Sequence, residues 1–397
     1  MSIPTRQREA SDPAGPAPRD PDRAAGPHVL HVCQPVDGGV GRYVRDACLD
    51  QLGRGWRVSL ACPAGELAGE LAEAGVRWRS WPATRSPGPA TLAETLALRR
   101  IVDSAGPDVV HLHSSKAGLA GRLAVRGRRP TVFQPHGWSW LAATGRTRRL
   151  ATRWERLAAR WTTTVVCVGD GERAAGGDAG VTAPTRVVRN GVDRRQFPDP
   201  EPGARAGARA MLGLRDDRSL VVCPGRLTLQ KGQDVLLAAW PAVRERCPTA
   251  VLALVGDGDL ASGLLRDAPA GVRFVPPTQD VRAWLVAADV VALPSRWEGL
   301  PLIALETAAT GRSMVASDIS GLREVVVAGT GRLVGPGDPA ALAEALVERL
   351  CYPATAEAEG ARALELVEQF DQRHTLHTLA GLTADLAGTG PSRGGQR

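Results

Sequence analysis

The stretch SRWEGLPLIALETAATG, residues 295–311, sets two carboxylates, Glu298 and Glu306, on either side of seven mostly apolar residues. Pro301 suits the first turn of a helix that Gly311 ends. With Leu302 at zero and about 100° per residue, Leu305 and Ala309 lie on one side of it and Ile303 on the other. Glu306 falls at about 40°, in the middle of the apolar arc. A carboxylate on a core face is costly unless a donor meets it. A structural partner or a pair of ligand hydroxyls can supply that donor. Rise along a helix separates the two acids by about 10 Å, beyond the roughly 5 Å of a retaining glycosidase pair. They are therefore expected to grip different parts of one long ligand.

Other segments carry cations and turns. In PGRLTLQKG, Arg226 and Lys231 bracket a short loop and can both turn toward one anion, as a buried diphosphate requires. In VDGGVGR, Gly38 and Gly39 let backbone N–H groups approach a phosphate at a helix N-terminus. The dinucleotide fingerprint fails there: Val44 stands where a third glycine or alanine belongs, and the following strand ends SLACP without an acid for a ribose. His136, in QPHGW, sits at a strand end before a glycine and could donate to a bound sugar. Asp257-Gly258-Asp259 has the D-x-D form of some metal-dependent sugar transferases, but turn or cap roles suffice. His111 and His113 alternate onto one side of a strand, as two metal ligands would. The sequence shows no third ligand near them, so a packed or site-lining role is expected and no metal.

The elements that must position these groups come in two series. Apolar runs at 28–35, 57–63, 76–82, 108–113, 131–136, 163–169 and 185–190 alternate with helical stretches. A second series runs at 219–225, 250–256, 272–276, 289–295 and 313–317. Continuous apolar strands between helices indicate parallel sheets covered on both faces. The reading is an α/β chain of two Rossmann-like domains with a cleft between them. Residues 27–196 form the first domain, 197–208 a linker and 209–365 the second, with tails at 1–26 and 388–397. In such sheets ligands bind beyond the carboxyl ends of strands, where every loop quoted above lies.

Composition narrows the class. At 43% hydrophobic residues the chain can build two cores, and no run of about 18 apolar residues predicts a membrane span. The start lacks an apolar secretory region, so a cytoplasmic protein is expected. Seven scattered cysteines without C-x-x-C read as reduced, mostly buried thiols. The net charge of +7 rests almost wholly on arginine and suits an anionic ligand or membrane face. Basic residues do not interleave with aromatics as on a single-strand-binding surface, so no nucleic acid is expected. One helix differs: over 146–161, Leu150, Trp154, Leu157 and Trp161 form a stripe ringed by arginines. It either packs on the sheet or meets an anionic membrane or a lipid phosphate.

In this order, RNGVD (189–193), GRLTLQKG, GDGD and SRWEGLPLIALETAATG resemble the retaining glycosyltransferases of family 4, which have the GT-B fold. DGGVGR, HLHSSKAGLAGRLA and PHGW resemble its polysaccharide-building members. The resemblance spans about residues 28–385. It implies a nucleotide-sugar donor, with UDP the expected nucleotide, held mainly by the second domain. Arg226 and Lys231 would hold the diphosphate, Glu298 the sugar hydroxyls and Glu306 the ribose. The Gly38–Gly39 loop would close over phosphate and sugar, and His136 would line the sugar site. Backbone near Gly299 and Leu300 would stabilise the departing charge. Configuration would be retained with no cofactor or metal, and a C-terminal helix at 366–387 would cross back to the first domain.

The expected function is transfer of a hexose-type sugar to a polyprenyl- or other lipid-phosphate-linked acceptor, at or near the inner face of the membrane. A transferase tailoring a small specialised metabolite is the next reading. A nucleotide-sugar epimerase fits worse, because the cation loop and paired glutamates suit transfer. A non-catalytic sugar-nucleotide-binding protein fits worse too, because Glu298, Arg226 and Lys231 are all present.

Overall fold

The computed structural model describes residues 26–215, 217–278 and 281–388. The tails read at 1–26 and 388–397 fall, apart from Gly26 and Gly388, outside the described residues.

The first domain is built on β1 (His28–Cys33), β2 (Arg57–Cys62), β3 (Arg77–Ser80), β4 (Val109–His113), β5 (Thr131–Gln134), β6 (Thr164–Cys167) and β7 (Thr185–Val187). They form one parallel sheet in the order β3-β2-β1-β4-β5-β6-β7. The second domain has β8 (Leu220–Pro224), β9 (Val251–Val255), β10 (Val272–Val275), β11 (Val290–Leu293), β12 (Ser313–Ser317) and β13 (Gly331–Val334). Their order is β10-β9-β8-β11-β12-β13, also parallel. The α/β architecture of two Rossmann-like domains follows from the apolar runs. The central strands bury both faces, the edge strands β3, β7, β10 and β13 are partly or wholly exposed, and only crossover connections can join parallel strands.

Strand order explains where the loops gather. The chain reverses direction across the sheet between β1 and β4, and again between β8 and β11, which opens a crevice at each carboxyl edge. Gly38–Gly39 follows β1, Arg226 follows β8 and Ser295–Glu298 follows β11, so each crevice is lined by candidate residues.

Alternation along the strands divides each core. Leu30, Val32, Val110, Leu112 and Phe133 pack on one face of the first sheet. Val109, Val132 and Val166 pack on the other, with Tyr43, Ala47 and Leu379. Leu379 belongs to the helix Gln372–Gly388, which thus completes the core of the first domain although it follows the second domain in sequence. Gln372 Nε2 also donates to Asp46 at 2.7 Å. The helix before it, Pro353–Val367, packs through Ala363 and Val367 into the second core. The boundary read at 365 therefore falls inside a helix, and the chain crosses at 368–371, where Val192 N donates to Phe370 O at 2.8 Å.

Two further readings need correction. The segment 197–208 is irregular only to Gly203, because Ala204–Met211 is a helix. Pro and Gly early in the segment masked the Ala- and Arg-rich helix former behind them. The strand β13 was missed, because GRLV is short and follows a glycine-rich turn.

Candidate functional site

On the second domain, Lys231 closes a short turn after β8 and Glu298 lies in the loop after β11. Lys231 Nζ meets Glu298 Oε1 at 2.6 Å, with both side chains largely buried. Ser295 Oγ donates to the same oxygen at 2.9 Å, and Gln230 Nε2 donates to Oε2 at 3.2 Å. The carboxylate is thus held by three donors from two loops. Neither Ser295 nor Gln230 was singled out in the sequence, because neither carries charge.

Arg226 makes no ion pair among the described residues; its Nη2 reaches Gln230 Oε1 at 3.4 Å. Burial holds its guanidinium below the usual range, and Arg85 of the first domain adds to that. Asp37, Glu298 and Asp259 act in the opposite sense. A desolvated cation facing a second cation is a place where an anionic ligand gains most.

The helix Leu302–Ala309 starts one residue after Pro301, and Glu306 is 4% exposed within it. Its Oε1 accepts from Nη2 of Arg42, a residue of the helix Gly38–Gly53 in the first domain. Its Oε2 is buried without a hydrogen-bond partner. Burial pushes the carboxyl above its ordinary range, and Arg42 counters only part of that. Both donors envisaged for Glu306 therefore bear on the geometry: one oxygen has a structural partner, the other has none. Arg42 was not singled out, although it is the third residue after the glycine pair in GGVGR. Gly38 adopts a left-handed φ of +60°, and a Cβ on Gly39 would lie 3.8 Å from Leu302 Cδ1. The glycine loop therefore faces the start of the Glu306 helix.

His136 also adopts a left-handed conformation, φ +53°. For a histidine that is uncommon and marks a held turn. Glu172 holds it, accepting from Gly137 N at 2.5 Å and from Val168 N at 2.8 Å. Burial raises the Glu172 carboxyl to about 7. Across the seam, a Cβ on Gly299 would lie 3.2 Å from Gly137 N and 2.9 Å from Val168 Cγ2, so the two domains meet there with no room for a side chain. The side chain of Leu300 is in the core, and its carbonyl accepts from Asn190 Nδ2 at 2.6 Å. Any ligand contact from Leu300 is thus a backbone N–H contact. His136, Gly299, Glu298 and Lys231 consequently lie along one seam, while Glu306 and Arg42 lie beside the glycine loop.

The histidine reading requires correction. His31 of β1 lies in register with His111 of β4, and with His113 the three present ring nitrogens within 4.8 Å of one another. A third potential ligand is therefore present. Strand adjacency, which spacing along the chain does not reveal, brings it in. Asp257 Oδ1 accepts from Gly258 N at 2.8 Å, the turn role expected of it.

The basic helix, Gly145–Ala158, packs through only part of its apolar stripe: Trp154 is half-buried, its ring 5.5 Å from the Arg122 guanidinium carbon. Its buried side chains are Glu155 and Ala158. Glu155 pairs with the buried Arg122 at 2.7 Å, and Arg122 lies 3.9 Å over the Phe133 ring. Leu150 and Leu157 are 63% and 45% exposed, among exposed arginines 148, 149, 153, 156 and 160. The inward face thus combines the Glu155–Arg122 ion pair with Trp154, while the leucines of the stripe face outward, so the helix divides between the two readings given for it. No helix among the described residues is long and apolar enough to cross a membrane.

Two parallel-sheet domains that bring cations and carboxylates together along their seam define a GT-B glycosyltransferase scaffold. The profile described as Glycosyltransferase Family 4 matches residues 37–196, and that described as Glycosyl transferases group 1 matches residues 218–351. The GDP-mannose-dependent alpha-(1-6)-phosphatidylinositol monomannoside mannosyltransferase of Mycolicibacterium smegmatis is 32% identical over 84% of this chain and 91% of that enzyme. The UDP-Gal:alpha-D-GlcNAc-diphosphoundecaprenol alpha-1,3-galactosyltransferase of Escherichia coli is 30% identical, over 57% of this chain and 62% of that enzyme, so the match spans less than two thirds of it. The structure of sucrose-phosphate synthase from Thermosynechococcus elongatus shares the fold, with a TM-score of 0.78 over 91% of this chain and 99% of that one, at 22% identity. The chain belongs to glycosyltransferase family 4.

Proposed function

We propose that the protein is a retaining hexosyltransferase that moves a sugar from UDP to a lipid-phosphate-linked acceptor. The observation that carries this reading is the Lys231–Glu298 pair, set beside the unpaired Arg226 and facing the His136 turn. A nucleoside diphosphate needs cations, and a sugar needs carboxylate acceptors for its hydroxyls. Arg226 and Lys231 hold the diphosphate, Glu298 the sugar hydroxyls and Glu306 the ribose. The bond between the anomeric carbon and the diphosphate oxygen breaks, and an acceptor hydroxyl oxygen bonds on the same face. The diphosphate leaves with the electron pair, which the two cations and the backbone at Gly299 and Leu300 stabilise. The proton of the acceptor passes to a diphosphate oxygen.

Support for a lipid-linked acceptor comes from the exposed leucines and arginines of the helix Gly145–Ala158, and from two relatives whose names specify lipid-linked acceptors. Those relatives name UDP in one case and GDP in the other. The test is to incubate the purified protein with UDP- and GDP-sugars, each with an undecaprenyl-diphosphate sugar or a phosphatidylinositol mannoside. Nucleotide release that requires a UDP-sugar and a lipid-linked acceptor is expected. Release only with a water-soluble acceptor would move the reading to the tailoring of a small metabolite. No binding of any nucleotide-sugar by calorimetry would reject transferase activity.

A further inference from the structure

Behind His136 lies a chain of buried imidazoles. His113 Nδ1 is 3.2 Å from His136 Nε2, His31 Nδ1 is 2.9 Å from His113 Nε2, and Gln51 Oε1 is 2.9 Å from His31 Nε2. His31 and His113 are fully buried, Gln51 is 1% exposed, and the rings of His113 and His136 are stacked at 5.5 Å. Burial holds His31 at about 4, His136 at about 3 and His113 well below its ordinary value, so every ring is neutral at neutral pH. Each neutral ring has one donor and one acceptor nitrogen. In a closed chain of such rings, one choice fixes all the others. Gln51 turns its Oε1 to the ring and leaves its Nε2 buried without a partner; with that amide orientation Oε1 only accepts, so His31 carries its proton on Nε2. His31 Nδ1 then accepts from His113 Nε2–H, and His113 Nδ1 accepts from His136 Nε2–H. Nδ1 of His136 is left as a bare acceptor.

We propose that Gln51, His31 and His113 form a tautomer relay that holds the His136 proton on Nε2 and presents Nδ1 as a hydrogen-bond acceptor at the seam between the domains. No hydrogen-bond partner of His31, His111, His113 or His136 is a carboxylate among the described residues, so the relay orders protons without charging any ring. Three groups flank the chain without joining it. His111 stacks 4.0 Å from His113 and bonds to Gln134 Oε1 at 3.0 Å, and the Tyr43 ring lies edge-on to His136 at 5.0 Å. Gln51 sits near the end of the helix that begins with the Gly38–Gly39 loop, so that helix reaches the site at its start and, through the relay, near its end. The relay changes the expectation for His136 itself: it accepts from a sugar hydroxyl and does not donate to one. That last step rests on the reading of His136 as a donor-sugar residue, whereas the relay itself does not.

The test is nitrogen NMR of the whole protein labelled with 15N-histidine, with the His136 signals assigned by loss in His136→Gln. In the unsubstituted protein His136 is expected to show one tautomer, with Nε2 protonated and Nδ1 bare. Gln51→Met removes the ordering acceptor while keeping volume, and His113→Leu removes a link; each is expected to leave both tautomers populated at His136. His111→Leu removes a stacked ring outside the chain and is expected to leave the single tautomer intact. Mixed tautomers in the unsubstituted protein, a proton on Nδ1, or the same scrambling in His111→Leu would overturn the relay. So would stoichiometric zinc or copper by elemental analysis, because a metal held by His31, His111 and His113 takes the lone pairs the relay uses. In turnover assays, Gln51→Met is expected to raise the donor KM about fivefold, the worth of one hydrogen bond, with a smaller change in kcat. Scrambled tautomers with unchanged kinetics would uphold the relay and reject the donor-sugar role of His136.

Discussion

Arg42 of the first domain donates to Glu306 of the second, and the other Glu306 oxygen is buried with no partner. An acid in this position is costly to keep charged, and burial has raised its carboxyl accordingly. Two ribose hydroxyls offer two donors to a carboxylate that has one. Glu306→Ala is therefore expected to weaken nucleotide binding by roughly tenfold or more, the worth of a charged hydrogen bond. Arg42→Ala frees the carboxylate and is expected to leave nucleotide affinity unchanged or raised. Calorimetry with UDP and GDP reads both, and equal losses in the two variants would refute a ribose role for Glu306.

If Glu298 holds the sugar hydroxyls and Lys231 the diphosphate, as proposed above, the two should separate binding from transfer. Glu298→Ala removes the acceptor for sugar hydroxyls but leaves the cations, so nucleotide affinity is expected to hold while sugar transfer falls by about 100-fold or more. Lys231→Ala removes a diphosphate partner and leaves Glu298 to Ser295 and Gln230. It is expected to weaken UDP binding by roughly tenfold as well as slow transfer. A nucleotide affinity that falls equally in both variants would end this division of roles.

The buried histidines should make the protein acid-sensitive. His28 and His31 are held at about 4 and His136 at about 3, mainly by burial, and His111 and His113 lie well below their ordinary value. The unfolded chain takes up these protons near pH 6.5, and the folded chain only at lower pH, about 4 at His28 and His31 and about 3 at His136. Their contribution to stability is thus complete above pH 6.5 and is lost as pH falls, at about 1.4 kcal/mol per pH unit for each ring that stays neutral. Glu172, raised to about 7, acts in the opposite sense. It gains stability as pH falls from about 7 toward the unfolded carboxyl value, and one such proton offsets about one histidine. Urea unfolding at pH 7.5 and 5.5 should show a net loss at the lower pH, and His111→Leu should shrink that difference. Equal stability at both pH values would show that the rings are already protonated in the folded state.

The sequence revealed most of the fold and one side of the site. Apolar and β-rich runs located twelve of the thirteen strands: the central ones because a strand buried on both faces has no other composition open to it, and edge strands such as the exposed β3 by their place in the strand–helix alternation. Glu306 was found because a charge on an apolar helical arc demands a partner. Its partner was not found, because Arg42 lies 264 positions away and on a different domain. The same limit hid His31, which joins His111 only through strand pairing. Gln51, Gln230 and Ser295 are neutral residues whose importance lies wholly in what they touch. The basic helix allowed two readings, packing on the sheet or meeting a membrane, and the structure splits its stripe, with Trp154 against Arg122 and the leucines exposed. Its leucine and tryptophan stripe has the period of a core face, but the sheet offers it a buried arginine, so Glu155 turned inward and the leucines outward.

That outward stripe gives the last prediction. Leu150 and Leu157 stand exposed on a helix whose exposed arginines surround them, an arrangement suited to the boundary between headgroups and acyl chains. On the proposed membrane role, the leucines are expected to insert and the arginines to meet anionic headgroups at about 1 kcal/mol each. The protein is expected to sediment with vesicles containing phosphatidylglycerol and not with pure phosphatidylcholine vesicles, and added salt should weaken the binding. Arg149→Glu with Arg153→Glu removes two headgroup contacts, so the partition coefficient should fall by about 30-fold, and by more where the two new carboxylates meet anionic headgroups. Leu150→Ser with Leu157→Ser keeps the charge and removes the inserted area. It should lower binding at high salt, where only the apolar part remains. Nucleotide binding should be unchanged in both double variants, since the buried Glu155–Arg122 pair that fastens the helix is intact. Equal sedimentation of all three proteins with anionic vesicles would remove this helix from any membrane role.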